Sequence, residues 1–146
     1  MKILARQLTL DLYNCNTKKL NDVAEIKNIL QDVIGDEPSL TATDIDDEHF
    51  AIIGASLAGH IALHVYKNLR YVAADIFTCA EDLEPEELAK TLRKFFQPDK
   101  IKSILKRGDF GMEKDIKPKI KTRVAPLRKV RNAGEKVVNN LVRRGK

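Results

Sequence analysis

The sequence predicts an α+β fold in which helices pack on one face of an antiparallel sheet. Three observations carry that expectation. Residues 60–66 and 71–79 each alternate apolar and polar side chains, and only four residues separate them, as in a β-hairpin. Residues 20–33 and 85–96 instead repeat their apolar side chains at three- and four-residue steps, the signature of helices with one buried stripe. Most of the remaining apolar runs are short and joined by turns, which suits antiparallel rather than crossover-linked parallel strands.

Taken in order, residues 3–12 alternate well enough for a strand, with Leu4, Leu8, Leu10 and Leu12 on one face. Asn14-Cys15-Asn16-Thr17 reads as a turn in which Asn16 or Thr17 caps the helix that follows. That helix buries Leu20, Val23, Ile26, Ile29, Leu30 and Val33 and stops near Gly35, with Pro38 beyond it. Residues 39–45 suit a strand, 44–48 an acidic turn, and 50–54 a short apolar strand. The small residues of 55–59 predict a bend leading into the hairpin. Pro85 opens the second helix, where Glu84, Glu86 and Glu87 favour its N-terminal dipole. Residues 101–105 suit a closing strand, and Arg107-Gly108 the end of the domain.

Length and composition set further bounds. The chain's 146 residues, 43% of them apolar, allow one domain with a real core and not two ordinary ones. No run of about 18 apolar residues is present, so a spanning helix is not expected, and the charged opening residues argue against a secretory leader. Cys15 and Cys79 are far apart and lack the clustering of a zinc site. We therefore expect a cytoplasmic protein with free thiols and no bound metal. The acidic turn 44–48 lacks the glycine and ligand spacing of a calcium loop and reads as a solvated turn.

Charge is unevenly placed. Residues 111–146 hold 12 of the 26 basic residues against three acids, a net +9, while the other 110 residues carry 14 basic against 18 acidic, a net −4. The expected organisation is a folded domain over 1–110 and a basic, partly helical or flexible tail over 111–146. In the tail, Leu127, Val130, Val137, Val138 and Leu141 recur at broadly helical spacing among arginines and lysines, interrupted by Gly134. Such a tail is either a solubilising appendage or a binding element for an acidic partner or polyanion. It has no aromatic residues to stack on bases, so base-specific recognition is not indicated.

Three segments together resemble the short bacterial and archaeal S-adenosylmethionine decarboxylases. Arg6-Gln7-Leu8 and Tyr13-Asn14-Cys15 are similar to that family's opening, and His60-Ile61-Ala62-Leu63-His64 with Asp75-Ile76-Phe77-Thr78-Cys79 to its central hairpin. The likeness runs from about residue 2 to residue 108. The resemblance implies that His64 occupies the position of a processing or proton-handling histidine and Cys79 that of a proton-donating catalytic cysteine. It also implies a prosthetic group made from the chain itself. Family members cut themselves before a serine in a Glu-Ser-His triplet, and that serine becomes a pyruvoyl electron sink for decarboxylation.

Here the triplet reads Ala58-Gly59-His60. Glycine has no hydroxyl to attack the preceding carbonyl, so Gly59 marks a vacant nucleophile position and no pyruvoyl cofactor is expected. The family's proline–glutamate after the strand is Lys67-Asn68 here. With Ala58, that removes two acids which would favour a cationic substrate. The sequence thus leads to a non-processing homologue linked to polyamine metabolism, binding S-adenosylmethionine or a polyamine weakly at most. The family likeness implies a homodimer or a pairing with a related chain. The alternative is an active decarboxylase of S-adenosylmethionine or a related amino acid in spermidine biosynthesis, one that uses Ser56 as the cleavage serine or works by another mechanism. On an extended chain Ser56 would lie roughly 10 Å from Gly59 with its side chain on the opposite face.

The residues alone also allow plainer roles. His64 would be a satisfied structural histidine and Cys79 a small buried hydrophobe. Cys15 reads as structural. In a straight hairpin closed by residues 67–70, Cys79 falls opposite Ala58 and His64 lies about 16 Å along the strand from Gly59. The strand must bend near Gly59 if all three residues are to share one pocket.

Overall fold

The computed structural model describes residues 4–35, 37–109 and 118–125. Its elements are β1 (Leu4–Tyr13), α1 (Thr17–Leu20), α2 (Val23–Val33), β2 (Ser39–Asp46), β3 (His49–Ser56), β4 (Gly59–Tyr66), β5 (Tyr71–Thr78), α3 (Pro85–Phe96), β6 (Lys100–Asp109) and β7 (Lys119–Val124). All seven strands join one sheet in the order β2-β3-β4-β5-β1-β6-β7, and every neighbouring pair is antiparallel. The predicted hairpin is β4–β5, closed by residues 67–70 and paired from Gly59↔Thr78 to Tyr66↔Tyr71.

Alternation sorts the strands into two faces. Leu8, Leu10 and Leu12 of β1 point to the same side as Val72, Ala74 and Ile76 of β5 and Ile61, Leu63 and Val65 of β4, and all are buried. The helices cover this side, contributing Leu20, Ile26, Leu30, Leu88, Leu92 and Phe96 to one continuous core. The opposite side presents His60, His64 and Tyr66 of β4, with Tyr71, Asp75 and Phe77 of β5 and Asp11 and Tyr13 of β1. No described element packs on that open face.

Local chemistry accounts for where the helices break. The single helix expected over 20–33 is two helices, because Asn21 and Asp22 interrupt it. The Asp22 side chain accepts a hydrogen bond from the Glu25 amide at 3.0 Å and so starts α2 afresh. Asn16 caps α1 by accepting from the Lys18 amide. Pro85 occupies the first turn of α3, and Gln97 ends that helix in the left-handed conformation.

The sheet does not stop where the sequence predicts. β6 continues to Asp109, and residues 119–124, read as part of the tail, form a seventh strand against it. The amphipathic segment expected from residue 126 onward lies outside the described residues.

Phe96 joins the two layers. It is fully buried and packs edge-to-face on Phe95 at 4.9 Å, and its carbonyl accepts from the Asn16 amide. Phe96→Ala is expected to cost about 3–5 kcal/mol through lost burial and a residual cavity. Urea unfolding of the two proteins measures this as a lower midpoint with an unchanged slope.

Candidate functional site

Three of the four residues singled out in the sequence meet at the rim where β3 turns into β4. Ser56 and Gly59 are direct partners across that tight turn, and Gly59 pairs on its other side with Thr78. The Cys79 amide donates to the Ala58 carbonyl at 2.8 Å, so Cys79 lies opposite Ala58 as the hairpin register requires. Its thiol donates to the Leu57 carbonyl at 3.3 Å. Cys79 is exposed, which corrects the reading of it as a small buried hydrophobe. The strand has ended at Thr78, and among the described residues none buries the side chain. Cys15, by contrast, is buried as expected of a structural residue.

Arg6 fixes this rim from the neighbouring strand. Its guanidinium donates to the Ala80 carbonyl at 2.8 Å and pairs with Glu84 at 2.6 Å. Those two contacts tie the segment after Cys79 back to β1.

Gly59 is more than a position without a hydroxyl. Its φ is +154°, a backbone conformation that residues with a side chain rarely adopt. A Cβ built there would lie 2.0 Å from the Phe77 carbonyl oxygen and 3.0 Å from the Thr78 Cα. Both obstacles are backbone, so a rotamer change relieves neither. The two strands approach closely at this point because residue 59 has no side chain.

The geometry expected for Ser56 is corrected. The estimate of roughly 10 Å with a reversed face assumed an extended chain, but residues 57–58 form a turn. Cross-strand partners have their Cβ atoms about 5 Å apart and project on the same face. The Ser56 hydroxyl is nevertheless committed: it donates to the Ile34 carbonyl at 2.6 Å and accepts from the Ala58 amide at 3.1 Å.

His64 does not join this rim. β4 runs unbroken from Gly59 to Tyr66, so His64 is about 16 Å along the strand from Gly59, on the open face. The bend that a shared pocket within one chain would need is absent from β4. His64 instead belongs to a second cluster. Its Nδ1 lies 2.8 Å from Nε2 of His49, and one of the two nitrogens carries the bridging hydrogen. His49 stacks on Tyr66 with ring centroids 4.1 Å apart, and Tyr66, Tyr71 and Tyr13 continue the aromatic strip at 5.6 and 5.3 Å. The Tyr71 hydroxyl donates to the Asp11 carboxylate. His49 went unrecognised in the sequence. Its alternation with Ala51 and Ile53 on β3 was a signal, but only the register His49↔Tyr66 sets it diagonally against His64.

Among the described residues, no group of three or more His, Cys, Asp or Glu side chains converges as a metal site would require, and no helix is long and apolar enough to cross a membrane.

The sheet order, the single helical layer and the thiol-bearing hairpin rim define a two-layer α+β sandwich. A family model described as S-adenosylmethionine decarboxylase matches residues 6–108. The chain belongs to that family. It is 32% identical over 119 residues to an S-adenosylmethionine decarboxylase proenzyme of Methanococcus vannielii, covering 77% of this chain and 97% of that protein. It is also 27% identical over 118 residues to a proenzyme of the same name from Acidithiobacillus ferrooxidans, covering 77% and 88%. Among solved structures, adenosylmethionine decarboxylase from Aquifex aeolicus shares the fold with a TM-score of 0.65 at 17% identity, over 80% of this chain and all of that one. An AdoMetDC monomer from Trypanosoma brucei matches with a TM-score of 0.52 at 15% identity, over 68% of this chain and 45% of that one.

The open-face cluster makes a prediction in alkali. Burial, then the hydrogen bond to Asp11, then the charge of Asp11 push the Tyr71 phenol well above its ordinary value near 10. A pKa raised in the folded state means that the stabilisation is whole below about pH 10 and is lost as pH rises beyond it. Tyr71 is expected to ionise well above pH 10 in an ultraviolet pH titration. Tyr71→Phe should flatten the fall in stability above pH 10, whereas an unchanged slope would assign that fall to other groups.

Proposed function

We propose that this chain is a non-self-processing member of the S-adenosylmethionine decarboxylase family, a binding or regulatory protein linked to polyamine metabolism, not a pyruvoyl enzyme. The observation that carries the reading is Gly59. It has no hydroxyl to attack the carbonyl of Ala58, and the Phe77–Thr78 backbone takes up the space that a Cβ would need. Residues around it do not fit the pyruvoyl group that the family makes. Cys79 and His64 then persist as a rim thiol and as a member of the open-face cluster, without a prosthetic group between them. Loss of acidic side chains at Ala58 and Asn68 leaves weak S-adenosylmethionine or polyamine binding as the most the site supports. The protein acts in the cytoplasm in this reading.

A second reading has specific support. Relatives across archaea and bacteria are called proenzymes, and Ser56 lies directly across the turn from Gly59. In that case Ser56 is the cleavage serine and the chain is a decarboxylase. The hydrogen bond from Ser56 to Ile34 counts against it, because the hydroxyl points to the helical layer in a contact that processing would have to break.

Intact mass separates the two. A single species near 16.5 kDa is expected for the purified protein. Two fragments, the larger beginning with a pyruvoyl group at position 56, would overturn the proposal. Gly59→Ser is expected to remain uncut as well. It should lose about 1–3 kcal/mol of stability from backbone strain, so restoring the hydroxyl alone does not restore the geometry.

The chain is proposed to assemble as a homodimer, or with a related chain, through the open face of the sheet. That face carries the aromatic strip and the exposed Ile53 without a described partner. Light scattering on a sizing column should return twice the chain mass. Ile53→Glu should shift the protein to the single-chain mass while leaving its melting transition cooperative, and a wild-type monomer would exclude the homodimer.

A further inference from the structure

A cavity on the helical side of the sheet, remote from Gly59 and His64, has the make-up of a small-molecule site. It lies between α3 and the β6–β7 pair and measures about 140 Å³. Leu8 and Leu10 of β1 with Ile101 of β6 form its apolar floor. Its two walls are basic: Arg93 projects from α3, and Lys121 and Arg123 from β7. β7 places both cations on this side because its alternate residues face the helices, with Lys121 opposite Ser103 and Arg123 opposite Ile101.

Two features show that these groups are unspent. Among the described residues, no side-chain hydrogen bond or ion pair engages Arg93, Lys121 or Arg123, although Arg93 is half-buried. Nearby Lys90, by contrast, is paired with Glu87. At the other end of the cavity, Oε2 of Glu86 is buried and has no hydrogen-bond partner among the described residues. A buried acceptor left open is unusual enough to indicate a missing donor.

We propose that this cavity binds an amphipathic phosphate ester whose apolar body carries an N–H donor, of which a nucleoside monophosphate is the simplest form. Cations converging from two walls suit a phosphate, whose three terminal oxygens accept from both sides at once, better than a carboxylate, which one arginine can satisfy. The floor takes a flat or aliphatic body by burial. Glu86 and Arg93 are seven residues apart on α3, hence on the same face and about 10 Å apart along its axis. That separation matches the reach from the amino group of a nucleobase to the phosphate of its mononucleotide. The cavity admits the ring, and the phosphate lies along the basic rim.

The family match ends at residue 108, and the wall bearing Lys121 and Arg123 comes from the strand beyond it. The inference stands whether or not the chain processes itself.

Calorimetric titration of the full-length protein with 5′-AMP, adenosine and inorganic phosphate, at fixed salt, tests it. AMP should bind, and adenosine and phosphate should each bind at least tenfold more weakly. Lys121→Gln with Arg123→Gln should weaken AMP at least tenfold, and Arg93→Gln alone should weaken it severalfold. Lys100→Gln with Lys102→Gln removes the same charge from the open face of β6, where these residues pair with Tyr13 and Asp11, and should change affinity less than twofold. Absence of AMP binding would overturn the proposal. Equal weakening by the open-face pair would overturn it too, because it would assign binding to diffuse basic charge. Phosphate binding as tightly as AMP would show that the floor and Glu86 contribute nothing. The paired β7 substitutions lie on exposed positions of an edge strand, so they can be read independently of any effect of Arg93→Gln on α3.

Discussion

The buried side of a single sheet governs this molecule. Leu8, Leu10 and Leu12 in β1, with Ile61, Leu63, Val65, Val72 and Ile76 beside them, form one apolar surface that must be kept from water. Helices α2 and α3 lie where they do because their apolar stripes close that surface. Period two in the strands and period 3.6 in the helices meet in one core. The polar consequence follows on the other side of the same strands. Each buried residue of β4 and β5 forces its neighbour onto the open face, which gathers the histidines and tyrosines into one strip.

Straightness of the central hairpin then decides what can act together. β4 and β5 pair without a break from Gly59↔Thr78 to Tyr66↔Tyr71. The rim group of Ser56, Gly59 and Cys79 and the cluster of His49 and His64 therefore sit at opposite ends of a rigid ruler. Arg6 reinforces one end by tying Ala80 and Glu84 to β1, and the Asp11–Tyr71 contact reinforces the other. Proton transfer between Cys79 and His64 of one chain is excluded by distance.

Gly59 ties the chemistry of the rim to its conformation. A serine there would supply a nucleophile. The glycine withholds it, and it also lets β4 approach the Phe77 carbonyl to a distance that no Cβ could share. The chemical gap and the backbone geometry now depend on one another. Lys67 and Asn68 lie in the loop that closes the other end of the hairpin.

By itself the sequence determined the kind of fold, the place of the central hairpin and the family, because periodicity and short-range turn chemistry are local properties. The alternation in 60–66 and 71–79 with a four-residue loop left one register, and that register already set Cys79 against Ala58. It could not resolve events that depend on distant partners. Asn21 and Asp22 split a helix whose apolar stripe reads as continuous, since a side-chain cap competes locally with the helical pattern. Ser56 came to face Gly59 through a turn of two ordinary residues, and Cys79 came to solvent because its strand ends one residue earlier. His49 found His64 across a ladder, and residues 119–124 joined the sheet edge instead of the tail. Each of these was decided by the tertiary structure, because pairing between segments depends on which edges remain open after the core has closed, and no window of sequence contains that information.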